Sequence, residues 1–101
     1  MLSVLDNLAG KDFTNIEAKI FENVIAYLLR NEWEVIKQYR VSNRWDGRRW
    51  YVDLALRTKN DLVGIEIDGK SARRKSIYKL CNGNFTKKII ILRSPFTIFE
   101  L

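Results

Sequence analysis

The chain has 101 residues, 47% of them hydrophobic, and 18 Lys and Arg against 12 Asp and Glu give it a net charge of +6. That length leaves no room for a second domain, and that composition supports a core and argues against disorder. The complete lack of histidine excludes Ser-His and Cys-His nucleophiles and His-bound zinc, while the basic balance favours a polyanionic partner, nucleic acid ahead of membrane.

Two further exclusions follow. The single cysteine, Cys81, cannot form an internal disulfide, which fits a reducing compartment. No apolar run is long enough to cross a membrane, and Met1 to Asp6 lacks the features of a signal peptide. A cytoplasmic protein without membrane contact and without an organic cofactor is the expectation.

Residues 1–12 hold only a short apolar turn, broken at Gly10. Thr14 opens a helix to about Arg30, with Ile16, Ile20, Val24 and Leu28 at helical spacing as the core stripe. Trp33 to Tyr39 reads as a strand, and Asp46-Gly47 marks a turn within 42–49. Trp50 to Leu56 and Leu62 to Asp68 alternate as strands around a short turn at Thr58 to Asp61. Ser71 is placed to cap a helix over 72–81, which Asn82-Gly83 stops. The β-branched run Lys88 to Leu92 reads as a strand covered on both faces, ended by Pro95. The tail Phe96 to Leu101 alternates, either as a further strand or as a partner contact. Helix, three strands, helix, strand predicts an α/β sandwich, the first three strands antiparallel and the last joined in parallel by a helical crossover.

Alternation places Val52, Leu54 and Leu56 on one face and Tyr51, Asp53 and Ala55 on the other. On the next strand Gly64, Glu66 and Asp68 share a face. Pairing of these strands would bring three carboxylates together, a repulsion that a hard divalent cation relieves. The other reading is a solvated acidic face. Ala55 and Gly64 either leave room there for water and phosphate or pack closely.

The order of elements, with Thr14-x-x-Glu17, Tyr39-Arg40-Val41, Tyr51-Val52-Asp53 and Val63-Gly64-Ile65-Glu66-Ile67-Asp68-Gly69, resembles the PD-(D/E)XK nuclease superfamily, nearest its very-short-patch-repair endonuclease branch. The resemblance covers roughly 14–93 and implies a restriction-endonuclease-like core of order αβββαβ, a mixed four-stranded sheet flanked by helices, in one domain spanning 1–101. It implies Mg²⁺ (or Mn²⁺) held by Asp53, Glu66 and the Ile67 carbonyl, with a first-helix glutamate, Glu17, supporting the water shell. Glu17 is also placed for a capping box with Thr14, and Glu22 replaces it if the helix register is shifted by a turn. Two departures stand out: Asp68 occupies the position of the family lysine, and Lys70 follows the Asp-Gly where that branch often has histidine. Asp68 is then either a further ligand or a strand-end cap, and Lys70 either the missing catalytic cation or a solvated lysine.

Arg73, Arg74 and Lys75 put cations where the helix dipole disfavours them, which suits phosphate binding. On that helix Arg74, Ile77, Tyr78 and Cys81 share a face, with Cys81 read as a small buried residue. Arg44, Arg48 and Arg49, interleaved with Trp45 and Trp50, suit a loop that grips a nucleic-acid backbone or stacks on bases. The expected function is a small metal-dependent DNA endonuclease, DNA ahead of RNA. It acts as a homodimer, because so small a core covers little of a duplex and both termini are apolar. The alternative is a catalytically inactive nuclease-fold module that binds nucleic acid.

Overall fold

A computed structural model of the chain describes residues 2–41 and 49–101. A 3-10 turn at Ser3–Leu8 precedes helix α1 (Ala18–Leu29) and strands β1 (Glu34–Val41), β2 (Trp50–Arg57) and β3 (Leu62–Asp68). Helix α2 (Arg74–Asn82) and strands β4 (Lys87–Arg93) and β5 (Phe96–Glu100) follow. The protein is α/β, with a five-stranded mixed sheet in the order β1-β2-β3-β4-β5. Among the described strands only the β3–β4 pair is parallel, joined by the helical crossover that such a pair needs. The expected four-strand sheet is one strand short. Pro95 does end β4, but the chain turns straight back, pairing Arg93 with Phe96, and the alternating tail becomes an edge strand.

Helix α1 and the 3-10 turn cover one face of the sheet. Phe21, Ile25 and Leu29 pack there on Leu54, Leu56, Val63, Ile65, Ile89 and Ile91. Helix α2 covers the other face, where Leu80 and Phe85 meet Ala55, Val52, Val41 and Ile90. None of the described helices is long and apolar enough to cross a membrane.

The expected α1 stripe is on the wrong side. Ile16, Ile20 and Val24 are 37%, 53% and 47% exposed, and the buried row is Phe21, Ile25, Ala26 and Leu29. Two apolar rows compete on this segment. The aromatic one wins because the Phe21 ring lies 5.2 Å from Phe13 and 6.1 Å from Phe96, burying large area in one cluster.

Both helix starts also differ. Glu17 is the N-cap residue of α1, and no side chain caps that end. Thr14 makes no capping box, since its hydroxyl bonds Asp12 and Ser94 instead. Helix α2 is capped at Arg73 rather than Ser71, and its inward residues are Ser76 and Leu80. Tyr78 and Cys81 of the expected inward face are exposed. Gly64 leaves no room for phosphate: a Cβ there would lie 2.7 Å from the Phe85 ring, so the strand and the ring pack in direct contact.

Candidate functional site

The β2–β3 ladder runs from Arg57↔Leu62 to Leu54↔Ile65 and ends, although both strands continue. Beyond that point two carboxylates replace the ladder. The Asp53 N–H donates to Glu66 Oε2 at 2.7 Å, and the Ile67 N–H donates to Asp53 Oδ2 at 2.8 Å. Each acid thus accepts from the opposite strand's backbone.

The expected alternation breaks at the same place. Leu54 and Leu56 face α1, but Val52 packs with Ala55 on the α2 side. On β1, Val35 faces α1 while Ile36, Tyr39 and Val41 all face α2. The break on β1 falls at Gln38, whose φ of 54° is left-handed. Gln38 lies opposite Asp53, and that pair is missing from a register that continues on both sides as Lys37↔Leu54 and Tyr39↔Val52. The left-handed residue, the missing pair and the end of the β2–β3 ladder thus fall together beside the acids.

Glu66 is fully buried. Lys79 Nζ lies 3.0 Å from its Oε1, and the lysine side chain is 13% exposed. The two form a buried ion pair, the charge partner of Oε1 coming from α2. Burial, and then the neighbouring Asp53 charge, push the Glu66 carboxyl up to about 7, against the pull of Lys79. A buried acid beside a second acid is a place where added positive charge lowers the repulsion.

A cleft of about 280 Å³ opens beside Asp53, lined by Ala18, Lys19, Glu22, Gln38, Asp53, Ile67 and Arg73; Glu66 lies behind Asp53 and does not line it. The carboxylate that α1 contributes is Glu22, not Glu17. Glu22 is 5% exposed, ion-paired to Lys19 at 3.1 Å, and accepts from Gln38 Nε2 at 3.3 Å. Glu17 is exposed and not among the residues lining the cleft.

Asp68 does not join Asp53 and Glu66. Its carboxylate accepts from the Arg73 N–H, Arg73 Nε and Ser76 Oγ, each at 2.9 Å, and so ties the end of β3 to the start of α2. Among the described residues no group of three or more His, Cys, Asp or Glu side chains is arranged to hold a metal. What remains for a cation is the Asp53 and Glu66 carboxylates with Ile67. In a strand the N–H and C=O of one residue point to the same neighbour, so the Ile67 carbonyl faces the gap that its N–H faces. This set is all oxygen and fits a hard divalent ion, and the Glu66 carboxyl, raised by burial and then by the Asp53 charge beside it, is the structural sign of it.

The predicted cations are scattered. Arg73 lines the cleft while bonded to Asp68. Arg49, Arg74 and Lys75 are exposed and point no charge into it. Arg44, Arg48, Trp45 and the Asp46-Gly47 turn lie outside the described residues. Lys70 is exposed and sits near Asp12, whose carboxyl is held below the usual range by hydrogen bonds from the Thr14 hydroxyl, the Thr14 N–H and Ser94, with the Lys70 charge adding to them against the opposing effect of desolvation.

Sequence reasoning missed Lys79 and Gln38. Lys79 was legible once the helix start was right, because a cap at Arg73 turns Ser76 and Leu80 inward and brings Lys79, three residues after Ser76, to the flank of that face. Nothing in the local sequence marks Gln38, which is neither Gly, Asn nor Asp.

No protein-family model and no curated protein matches the chain. A solved structure described as the crystal structure of SSO0001 is similar, with a TM-score of 0.56 and 16% identity over 81% of this chain and 48% of that one. The chain therefore spans about half the length of that protein, and the likeness is one of fold.

Proposed function

We propose that the chain is a small metal-dependent endonuclease acting on DNA. The observation that carries this reading is the reciprocal Asp53–Glu66 pair at the point where the β2–β3 ladder ends, with Asp53 lining a cleft and Glu66 beside a buried lysine. Asp53, Glu66 and the Ile67 carbonyl would hold Mg²⁺ or Mn²⁺, which supplies a nucleophilic water at neutral pH and neutralises charge on the attacked phosphate.

The chain's own residues do the rest. Lys79 pulls the Glu66 carboxyl toward its ionised form against burial and Asp53, and it supplies from α2 the positive charge that Asp68 cannot supply from β3. The first turns of α1 and α2 contain no acidic residue, and neither N-cap side chain caps its helix. Ala18, Lys19 and Arg73, at these two starts, line the cleft. At the α1 start, where no carboxylate caps the helix, the positive end favours a phosphate, whereas Asp68 already occupies the α2 start. Arg49, Arg74 and Lys75 supply exposed charge for flanking phosphates. The restriction-endonuclease-like family assignment and the homodimer belong to this proposal.

The test is cleavage of plasmid, branched and single-stranded DNA with Mg²⁺ or Mn²⁺, beside EDTA and Glu66→Ala. Cutting that needs metal and is lost in Glu66→Ala is the expected result. A Glu66→Ala protein that cuts at the wild-type rate overturns the site.

One observation favours the second reading, a nuclease-fold module that binds without cutting. Asp68 is committed to α2, and Glu66 is fully buried against Lys79. That reading predicts no cleavage of any substrate, with DNA affinity that falls steeply with salt.

A further inference from the structure

Gln38 has no role in the proposed chemistry, yet it holds the one left-handed backbone among the described non-glycine residues. Glutamine is a poor choice for such a conformation, which costs about 1–2 kcal/mol in an L-residue with a long side chain. Strain of this kind persists where the surroundings hold it, and it clusters at functional sites.

What the strain does can be read from the neighbouring hydrogen bonds. On β3 the Ile67 N–H points to β2, and Ile65 shares its parity. Leu54, directly opposite Ile65, therefore turns its peptide groups toward β3. In an unbroken strand the adjacent Asp53 would turn the other way, toward β1 and Gln38. It does not. Its N–H donates to Glu66 on β3. The reversal coincides with the missing Gln38–Asp53 pair and with the flip of side-chain faces on both strands.

We infer that Gln38 is a positioning residue: its left-handed backbone releases Asp53 from the β1 ladder and turns it onto β3, creating the reciprocal Asp53–Glu66 pair. The Gln38 side chain, anchored on the buried Glu22, holds the backbone there. The geometric claim stands by itself, and its importance for cutting rests on the nuclease reading above.

The test compares substitutions by what each tolerates in the backbone. Gln38→Gly accepts a positive φ freely, Gln38→Ala resists it, and Gln38→Val resists it most. The first readout is amide hydrogen exchange of Ile67 in metal-free protein, with Ile65 and Ile91 as references and Asp53→Ala as the fully released limit. We expect Gln38→Gly to protect Ile67 as wild type does. Gln38→Ala should speed its exchange about five- to thirty-fold, and Gln38→Val should approach Asp53→Ala, with Ile65 and Ile91 unchanged. Ile67 exchange equal in Gln38→Gly and Gln38→Ala overturns the inference, even if Gln38→Val does not fold. The second readout is cleavage, expected to track Ile67 protection across the series. If the wild type cuts nothing, the nuclease reading fails while the exchange series still decides the role of Gln38.

Discussion

The two ends of the β2–β3 pair are built on opposite principles. Toward the Thr58–Asp61 turn the ladder is regular and its side chains are apolar: Leu54, Leu56, Val63 and Ile65 are fully buried. At the far end the backbone bonds are handed to carboxylates, and a fully buried acid depends on a lysine from another element. The first end is held by close packing and tolerates no empty volume. The second is held by directed bonds to charged groups, which are costly to bury and are kept where chemistry needs them. Stability resides at one end of the pair and the candidate chemistry at the other, with Leu54 and Ile65 next in the chain to Asp53 and Glu66.

Substitutions should separate the ends. The largest effect is expected at the open end: Asp53→Ala or Glu66→Ala should lower metal-dependent cleavage at least about 1,000-fold while the protein stays folded by circular dichroism. At the closed end Leu54→Ala should cost about 2–5 kcal/mol in urea denaturation, and the fraction that remains folded should cut normally. Cutting lost in Leu54→Ala at temperatures where it is folded would break the division.

The pH dependence sharpens the comparison further. Glu66 titrates at about 7 in the folded chain against 4.5 in the unfolded one, so between these values the native state holds the extra proton. Stability from this group is therefore greatest below pH 4.5 and declines as pH rises through 7, by about 3 kcal/mol in total. Melting temperatures of wild type and Glu66→Gln should diverge in that window, the variant showing the flatter profile. The smallest effect is again at the closed end. Gly64→Ala, with its Cβ 2.7 Å from the Phe85 ring, should cost about 1–3 kcal/mol by the same urea assay. A neutral Gly64→Ala would mean that Phe85 moves aside freely.

Much of the fold was legible because period and punctuation are local. The three strands, the parallel crossover and the acids of β2 and β3 follow from alternation, turn residues and chain order. What failed depended on competition between distant groups. The α1 face was decided by Phe13 and Phe96, which lie outside the helix. The start of α2 was decided by Asp68, which holds Arg73 and Ser76 and so moves the cap past Ser71. That shift hid Lys79 and turned Cys81 outward. The meeting of Asp53 with Glu66 was foreseen, but through side chains sharing a face. The structure reaches it by a reversal of one peptide group opposite Gln38, which alternation cannot predict.

The Asp68 bonds also have a mechanical meaning. Strand β3 and helix α2 are joined at one point by Asp68 to Arg73 and Ser76, and at a second by Glu66 to Lys79. Two ties between two stiff rods make a braced frame, and neither rod can swing about a single joint. The lysine is thereby delivered to its acid by a strut rather than by a loop. Its position is set by these two ties rather than by the conformation of the connecting segment 69–72.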